Sequence, residues 1–276
     1  MIHVLDLTLS PPKVIQELHY GSQPSGMSIS PDGKLAIIAN RAAGSISVLR
    51  IRDKQVTPLT MVKVDEPESS VSDVAIAPDG KTGLISVQEG CYLAQFKIEG
   101  EEVTLTGRKF NTFGRPYRCV ISPDGKFGLT AGAGSGDGAP NMDALTVVDL
   151  SLDYPHTTDI VPIGAIPESI EISPDGTLIA AVVMGSSNYD KSNPLFKDDA
   201  EVVLLERSDN TFKVVQRLPV KRIPEGVAFT ADGKYLVVQC HFDKELFLFK
   251  VSGQRLVDTG ERVNVPGYAS SLRAAP

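Results

Sequence analysis

The chain has 276 residues, including 27 Lys or Arg and 34 Asp or Glu, and 42% of the residues are hydrophobic. The net charge of −7 makes nucleic acid and anionic membranes poor partners, because both require a positive field. No apolar run approaches membrane-spanning length, and no charged-then-apolar leader precedes the first predicted strand. We therefore predict a single cytoplasmic domain, residues 1–276, that contacts neither nucleic acid nor a membrane.

The sequence contains three cysteines at irregular spacing. Cys119 and Cys240 lie in apolar, strand-like runs, so we predict that both are buried free thiols. Cys91 follows Glu89 and Gly90 at a predicted strand edge, and we expect it to be more accessible.

A five-residue turn motif recurs along the chain, first as Ser30-Pro31-Asp32-Gly33-Lys34. Pro presets φ, Asp accepts a hydrogen bond from its own backbone, and Gly adopts positive φ, so each copy predicts a tight hairpin turn. The motif returns with its Asp at four later positions, which are Asp79, Asp124, Asp175 and Asp232. This spacing is the period of a propeller blade.

Each turn follows a short alternating run and precedes an apolar run, and two further strand-like runs come before the next turn. Residues 2–7 and 14–18 resemble the third and fourth strands of this repeat, whereas residues 269–273 resemble a first strand. We therefore predict an all-β, six-bladed β-propeller with four strands in each blade. Its ring is closed by pairing of residues 269–273 in the same sheet as residues 2–7. Seven blades, with one unrecognised segment, is the alternative.

Two insertions interrupt the repeat, at residues 132–141 and 185–200, and each connects a second strand to a third strand. In a propeller those connections share a face with the links between blades, opposite to the Asp-Gly turns. Long loops inside a compact domain usually carry function. This face is therefore the predicted working face.

The repeat resembles that of YVTN-type propellers and of lactonase-like propellers, typified by phosphogluconolactonase and carboxymuconate cyclase. The resemblance is carried by residues 24–34, by Ala39-Asn40 and by residues 46–49, and it extends over nearly the whole chain. Thr230-Ala231 departs from the usual Ser-Pro. The resemblance implies a lactonase-like hydrolase, or a related small-molecule enzyme, that acts on an anionic lactone or ring at the channel mouth.

First strands line the channel of a propeller, so residues at their starts converge. Lactone hydrolysis needs a polarised carbonyl, a cationic clamp for an anionic substrate, and a base that activates water. The predicted catalytic residues are Glu168, Glu225 and His241. The predicted substrate-binding residues are Arg41, Arg115, Tyr117, Arg118, Asn188 and Tyr189. We predict no cofactor; a divalent metal between converging carboxylates is the alternative.

A non-catalytic propeller that binds a protein or peptide on the loop-rich face is the competing hypothesis. The sequence has no Gly-x-Ser-x-Gly elbow, no phosphate-binding Gly-Lys-Ser/Thr and no zinc-spaced His pair. An enzyme should show carboxylates with perturbed pKa values in a deep mouth, whereas a scaffold should show a broad, apolar rim. The prediction favours the enzyme.

Overall fold

The computed structural model describes residues 1–133 and 142–274. Its regular structure is almost entirely β-strand, with two single-turn 3-10 helices at Arg41–Ala43 and Pro67–Ser69. No helix in these two ranges is long and apolar enough to cross a membrane. The described residues pack as two compact units, the first formed by residues 1–111 and the second by residues 112–133 and 142–274.

The first unit contains a two-stranded sheet and two four-stranded sheets, all antiparallel. The two-stranded sheet consists of β1 (Ile2–Asp6) and β2 (Lys13–Leu18). The next sheet consists of β3 (Pro24–Ile29), β4 (Leu35–Asn40), β5 (Ser45–Arg52) and β6 (Gln55–Lys63). The last consists of β7 (Val71–Ile76), β8 (Thr82–Val87), β9 (Tyr92–Glu99) and β10 (Glu102–Asn111).

The second unit contains three four-stranded antiparallel sheets. The first consists of β11 (Pro116–Ile121), β12 (Phe127–Gly132), β13 (Asp143–Asp149) and β14 (His156–Gly164). The second consists of β15 (Pro167–Ile172), β16 (Leu178–Val183), β17 (Ala200–Ser208) and β18 (Thr211–Val220). The third consists of β19 (Pro224–Phe229), β20 (Tyr235–Cys240), β21 (Glu245–Ser252) and β22 (Arg255–Asn264).

Four sequential antiparallel strands make a propeller blade, and the described residues form five complete blades and the two-stranded sheet. The predicted fold class, an all-β, six-bladed β-propeller, is confirmed. Among the described residues there is no sheet for a seventh blade.

The Asp-Gly turns join the first and second strands of every complete blade, as predicted. In the first copy, Ser30 Oγ donates to Asp32 Oδ1 at 2.7 Å, and the Lys34 N–H donates to the same oxygen at 3.1 Å. Gly33 has φ +70°, and the glycines of the other four turns lie between +66° and +74°. The turn is therefore determined by its own residues: the Asp oxygen replaces a backbone acceptor, and Gly removes the Cβ clash.

The hydrophobic core lies between successive sheets. In the first unit one cluster joins Ile37 and Val48 of one blade to Ile85 and Phe96 of the next. In the second unit equivalent clusters join each blade to its neighbour. Within that unit β15 lies between β11 and β19, so the starts of three first strands are adjacent. The core thus brings the residues at those starts together.

The cysteines behave as predicted. Cys119 and Cys240 are buried and free, and Cys91 is half-buried. Burial raises the pKa of Cys240 to about 12, so its thiol stays protonated at neutral pH.

The predicted pairing of residues 269–273 with residues 2–7 is wrong. Residues 265–274 contain no strand, and within the described chain β1 pairs with β2 alone. In the complete blades a first strand bonds to a second strand and never to a third. Because the described two-stranded sheet corresponds to third and fourth strands, it offers residues 269–273 no second strand to pair with. Side chains of the second unit hold this segment instead.

Candidate active site at the start of β19

The start of β19 is formed by a strained backbone. Ile223, immediately before Pro224, has φ +51°, a conformation that β-branched residues adopt at a cost. Its N–H donates to Ser187 Oγ at 3.1 Å, and its carbonyl accepts the His241 N–H at 2.9 Å. These contacts fix His241, the first residue after β20, beside the first residues of β19.

The same arrangement occurs one blade earlier. Ile166, before Pro167, has φ +57°, and its carbonyl accepts the Met184 N–H at 2.9 Å. Glu168 therefore occupies the same repeat position in β15 as Glu225 in β19, and it is half-buried.

Glu225 and His241 form the central pair of the site. Glu225 Oε2 lies 3.6 Å from His241 Nδ1, and the two side chains are 21% and 28% exposed. Burial raises the pKa of the Glu225 carboxyl, and the neighbouring imidazole opposes that rise. A carboxylate with a raised pKa is a better proton acceptor at neutral pH than an ordinary one.

The tautomer of His241 follows from its backbone partner. Nδ1 lies 3.0 Å from the carbonyl oxygen of Ala269. Because a carbonyl oxygen can only accept, Nδ1 carries a proton, and in the neutral imidazole Nε2 carries the lone pair. The ring also lies against that of Tyr268, with the two centroids 5.2 Å apart.

Arg118 of β11 is buried and makes an ion pair with β15. Its Nη2 donates to Glu171 Oε2 at 2.5 Å, and its Nη1 donates to Ser169 Oγ at 2.9 Å. The side chains of Arg118 and Glu171 are 7% and 15% exposed. Glu171 therefore offsets much of the positive charge that was predicted to bind an anionic substrate.

Arg118 also reaches β19 and the segment after β22. Nη1 lies 3.2 Å from the carbonyl oxygen of Val227 and 2.6 Å from that of Leu272. Val227 is two residues after Glu225, so the guanidinium lies beside the strand that carries the Glu225–His241 pair. The structure thus places Arg118, Glu225 and His241 in one region of the second unit.

The connection between β16 and β17, residues 184–199, corresponds to the long loop predicted at residues 185–200, and it is anchored on Arg222. The buried guanidinium donates from Nε to the Ser187 carbonyl at 3.0 Å and from Nη2 to the Tyr189 carbonyl at 3.3 Å. It also lies over two aromatic rings, those of Phe196 and Phe242, at 4.8 and 4.3 Å. Because Arg222 directly precedes Ile223, this anchor holds the loop beside the start of β19.

The remaining predicted binding residues of the second unit lie near these strand starts. Asn188 is exposed, Tyr117 of β11 is half-buried, and Arg115 is half-buried just before β11. The carbonyl of Arg115 accepts the Ala133 N–H at 3.1 Å. Of the insertion at residues 132–141, only residues 132 and 133 are among the described residues.

Arg41 belongs to the first unit, where it is tied to the adjacent blade. Its Nε donates to Ser70 Oγ at 3.0 Å, and its Nη2 donates to Gln88 Oε1 at 2.8 Å. Its predicted role in substrate binding stays a prediction.

No group of three or more His, Cys, Asp or Glu side chains in the described ranges is arranged to hold a metal ion. The alternative of a divalent ion between Glu168 and Glu225 therefore has no third ligand of these types among those residues.

Sequence reasoning missed three residues of this region: Glu171, Arg222 and Gln239. Glu171 had a signal, because it lies two residues before the turn motif and shares a strand face with the position equivalent to Arg118. Gln239 also had one, since it is a polar residue in an otherwise apolar second strand. Arg222 had none, because its aromatic and carbonyl partners come from two separate loops.

No protein-family model and no curated protein matches this sequence. Solved structures do match its fold. Hydrazine synthase of Kuenenia stuttgartiensis is similar over 96% of this chain and 81% of its own, with 22% identity and a TM-score of 0.76.

Two further structures carry lactonase names. A candidate 6-phosphogluconolactonase of Bacteroides uniformis is 15% identical over 92% of this chain and 75% of its own, with a TM-score of 0.73. The periplasmic gluconolactonase of Pseudomonas aeruginosa is 19% identical over 93% of this chain and 74% of its own, with a TM-score of 0.69. At these identities the likeness shows the fold, a β-propeller of the kind found in lactonase-like proteins. The YVTN-type repeat stays a prediction.

Proposed function

We propose that the protein is a lactonase-like hydrolase with its active site at the start of β19. The observation that carries the proposal is Glu225, a largely buried carboxylate whose pKa is raised by burial, 3.6 Å from the imidazole of His241. Groups with perturbed pKa values are concentrated at functional sites. Lactonase names among the structural neighbours support the same reaction class.

The proposed reaction is the addition of water to a lactone. Glu225 takes a proton from water, the hydroxide oxygen bonds to the carbonyl carbon, and a tetrahedral oxyanion forms. The ring C–O bond then breaks, and protonated Glu225 returns its proton to the leaving alkoxide, which yields a hydroxy acid. Arg118 is the proposed contact for an anionic group, with Glu168, Arg115 and Tyr117 at the neighbouring strand starts.

A non-catalytic peptide-binding propeller is the second candidate function. The observation that favours it is the segment of residues 268–273, whose main-chain carbonyls accept hydrogen bonds from Arg118 and His241. A surface that binds main-chain carbonyls fits an extended peptide. The fold does not choose between these functions, because propellers carry both. The cytoplasmic location stays a prediction.

The test is hydrolysis of glucono-δ-lactone, followed by titration of the released acid and corrected for the spontaneous reaction. Replacing the proposed base, Glu225→Gln, should lower kcat by about 10²–10⁴-fold, the usual contribution of a general base, with KM changed much less. Glu261→Gln, at an exposed position of β22, is the matched control and should leave kcat unchanged. Turnover by the wild type that Glu225→Gln leaves intact would refute this site, and the absence of turnover on any lactone would favour the peptide-binding function.

A further inference from the structure

Two side-chain donors meet at one main-chain oxygen in the second unit. Gln239 of β20 is 1% exposed, and its Nε2 donates to the carbonyl oxygen of Ala269. His241 Nδ1 lies 3.0 Å from the same oxygen. Two converging N–H donors are the arrangement that polarises a carbonyl group.

The other end of the Gln239 amide is buried without a partner. Oε1 has no hydrogen-bond partner among the described residues. Buried polar atoms are normally satisfied, so an orphaned acceptor next to two carbonyl donors indicates a place where a ligand hydroxyl can donate. This feature does not serve the segment that now lies there.

A second anchor holds the same segment three residues further on, where Arg118 Nη1 donates to the Leu272 carbonyl at 2.6 Å. At 3.3–3.6 Å per residue, the two carbonyl groups are at most about 10–11 Å apart. A small molecule with a carbonyl at one end and an anionic group at the other can therefore span both anchors.

We infer that Gln239 and His241 form a carbonyl-binding subsite, and that residues 268–273 occupy it as an intrachain stand-in for a ligand. The ligand class is a polyhydroxy carboxylic acid or its lactone. Its carbonyl oxygen replaces that of Ala269, a hydroxyl satisfies Gln239 Oε1, and its far end replaces the Leu272 carbonyl at Arg118. Only the catalytic use of this subsite rests on the proposed function.

Gly226 provides a way to displace the segment without substituting Arg118, Gln239 or His241. A Cβ on Gly226 would lie 2.7 Å from both the backbone nitrogen and the Cβ of Leu272, and 3.0 Å from Gln239 Oε1. The two contacts with Leu272 force the segment to shift, whereas the contact with Gln239 requires its amide to move by only a few tenths of an ångström. Gly267 is the matched control, because a Cβ there meets nothing within 4 Å.

The first experiment measures two quantities on the full chain. The first is the rate of trypsin cleavage after Arg273, followed by intact mass. Arg273 donates to the Cys119 carbonyl at 3.0 Å, and trypsin cleaves after it only when this contact opens, so the rate reports release of the segment. Calorimetric titration with gluconate reports the subsite. We expect Gly226→Ala to speed cleavage and to tighten gluconate binding, each by at least about tenfold, and Gly267→Ala to stay within about twofold of the wild type.

Adding Gln239→Leu to Gly226→Ala should remove that gain in gluconate affinity while cleavage stays fast. Faster cleavage without tighter gluconate binding would overturn the inference, as would unchanged cleavage in Gly226→Ala.

A second measurement covers the case in which Gly226→Ala does not fold. In the wild type, saturating gluconate should speed cleavage after Arg273, because ligand and segment compete; binding that leaves cleavage unchanged, or no binding at millimolar gluconate, would overturn the inference. If gluconate binds as expected but no lactone is turned over, the proposed hydrolase function fails and the subsite stands.

Discussion

Backbone with positive φ occurs near both ends of β19, but on two different types of residue. At the end of the strand, Gly233 has φ +67° in the repeated turn, whereas just before the strand Ile223 has φ +51°. Glycine adopts this conformation without a clash, but a β-branched residue does so at a cost of about 1–3 kcal/mol. Strain is therefore concentrated at the strand start, where the candidate site lies.

The carboxylates near the two ends of β19 also differ, because the pKa of one is lowered and the pKa of the other is raised. Hydrogen bonds from Thr230 and Lys234 lower the pKa of Asp232 to about 2, so the turn stabilises its charged form. Burial raises the pKa of Glu225, so the strand start opposes the charged form. The start of β19 thus combines a strained backbone conformation with a buried carboxylate, and both lower stability. Features that lower stability in this way are expected at functional sites.

The largest expected effect comes from the ion pair near the strand starts. Arg118→Met leaves Glu171 buried without its partner, so the free energy of unfolding should fall by about 3–5 kcal/mol, measured by urea denaturation. Adding Glu171→Leu removes the orphaned charge and should recover a large part of the loss.

Arg50→Met is the matched control for this prediction. Arg50 pairs with Glu101, but both side chains are more than 40% exposed, so its loss should be much smaller. Equal losses for Arg118→Met and Arg50→Met would show that burial does not distinguish the two pairs.

Substitutions at the two positive-φ positions near the ends of β19 test whether strain differs between them. Gly233→Val should lower the free energy of unfolding by about 1–3 kcal/mol, because valine is strained at positive φ. Ile223→Gly relieves strain while losing a half-buried side chain, so its net effect should stay below about 1 kcal/mol. Thermal denaturation of both variants measures this, and a larger loss for Ile223→Gly than for Gly233→Val would contradict the strain account.

The smallest expected effect is a gain in the free energy of unfolding. Glu225→Gln removes a carboxylate whose pKa is higher in the folded chain than in the unfolded one, so the variant should be slightly more stable than the wild type at neutral pH. As the pH falls, Glu225 is protonated in the folded chain before it is protonated in the unfolded chain. The stability deficit of the wild type relative to Glu225→Gln should therefore shrink as the pH falls through the folded-state pKa toward about 4.3. Glu171→Gln breaks the buried ion pair with Arg118, so this variant should instead be less stable than the wild type at neutral pH. A Glu225→Gln variant that is destabilised there would contradict the assignment.

The sequence predicts the turn end of the blades well, because Asp32 and Gly33 form their turn with neighbours only two residues away. It also places Glu225 and His241 near one another, since both follow from repeat positions at the start of β19 and the end of β20. Such contacts are local, or they are dictated by the repeat.

The remaining contacts depend on side chains from different blades. Arg118 meets Glu171 across two blades, and the repeat period does not say which side chains pair between them. Residues 269–273 resemble a first strand, but a strand also needs a partner with free N–H and C=O groups, and that partner is not encoded in the segment itself.

The pKa of Glu225 tests the central claim most directly. A ¹³C NMR titration of its carboxyl carbon should give a midpoint above the ordinary value of about 4.3, and the acid limb of kcat/KM for glucono-δ-lactone should fall with the same midpoint. A midpoint at or below about 4.3, or an acid limb that persists unchanged in Glu225→Gln, would contradict the claim that Glu225 is the base of a hydrolase.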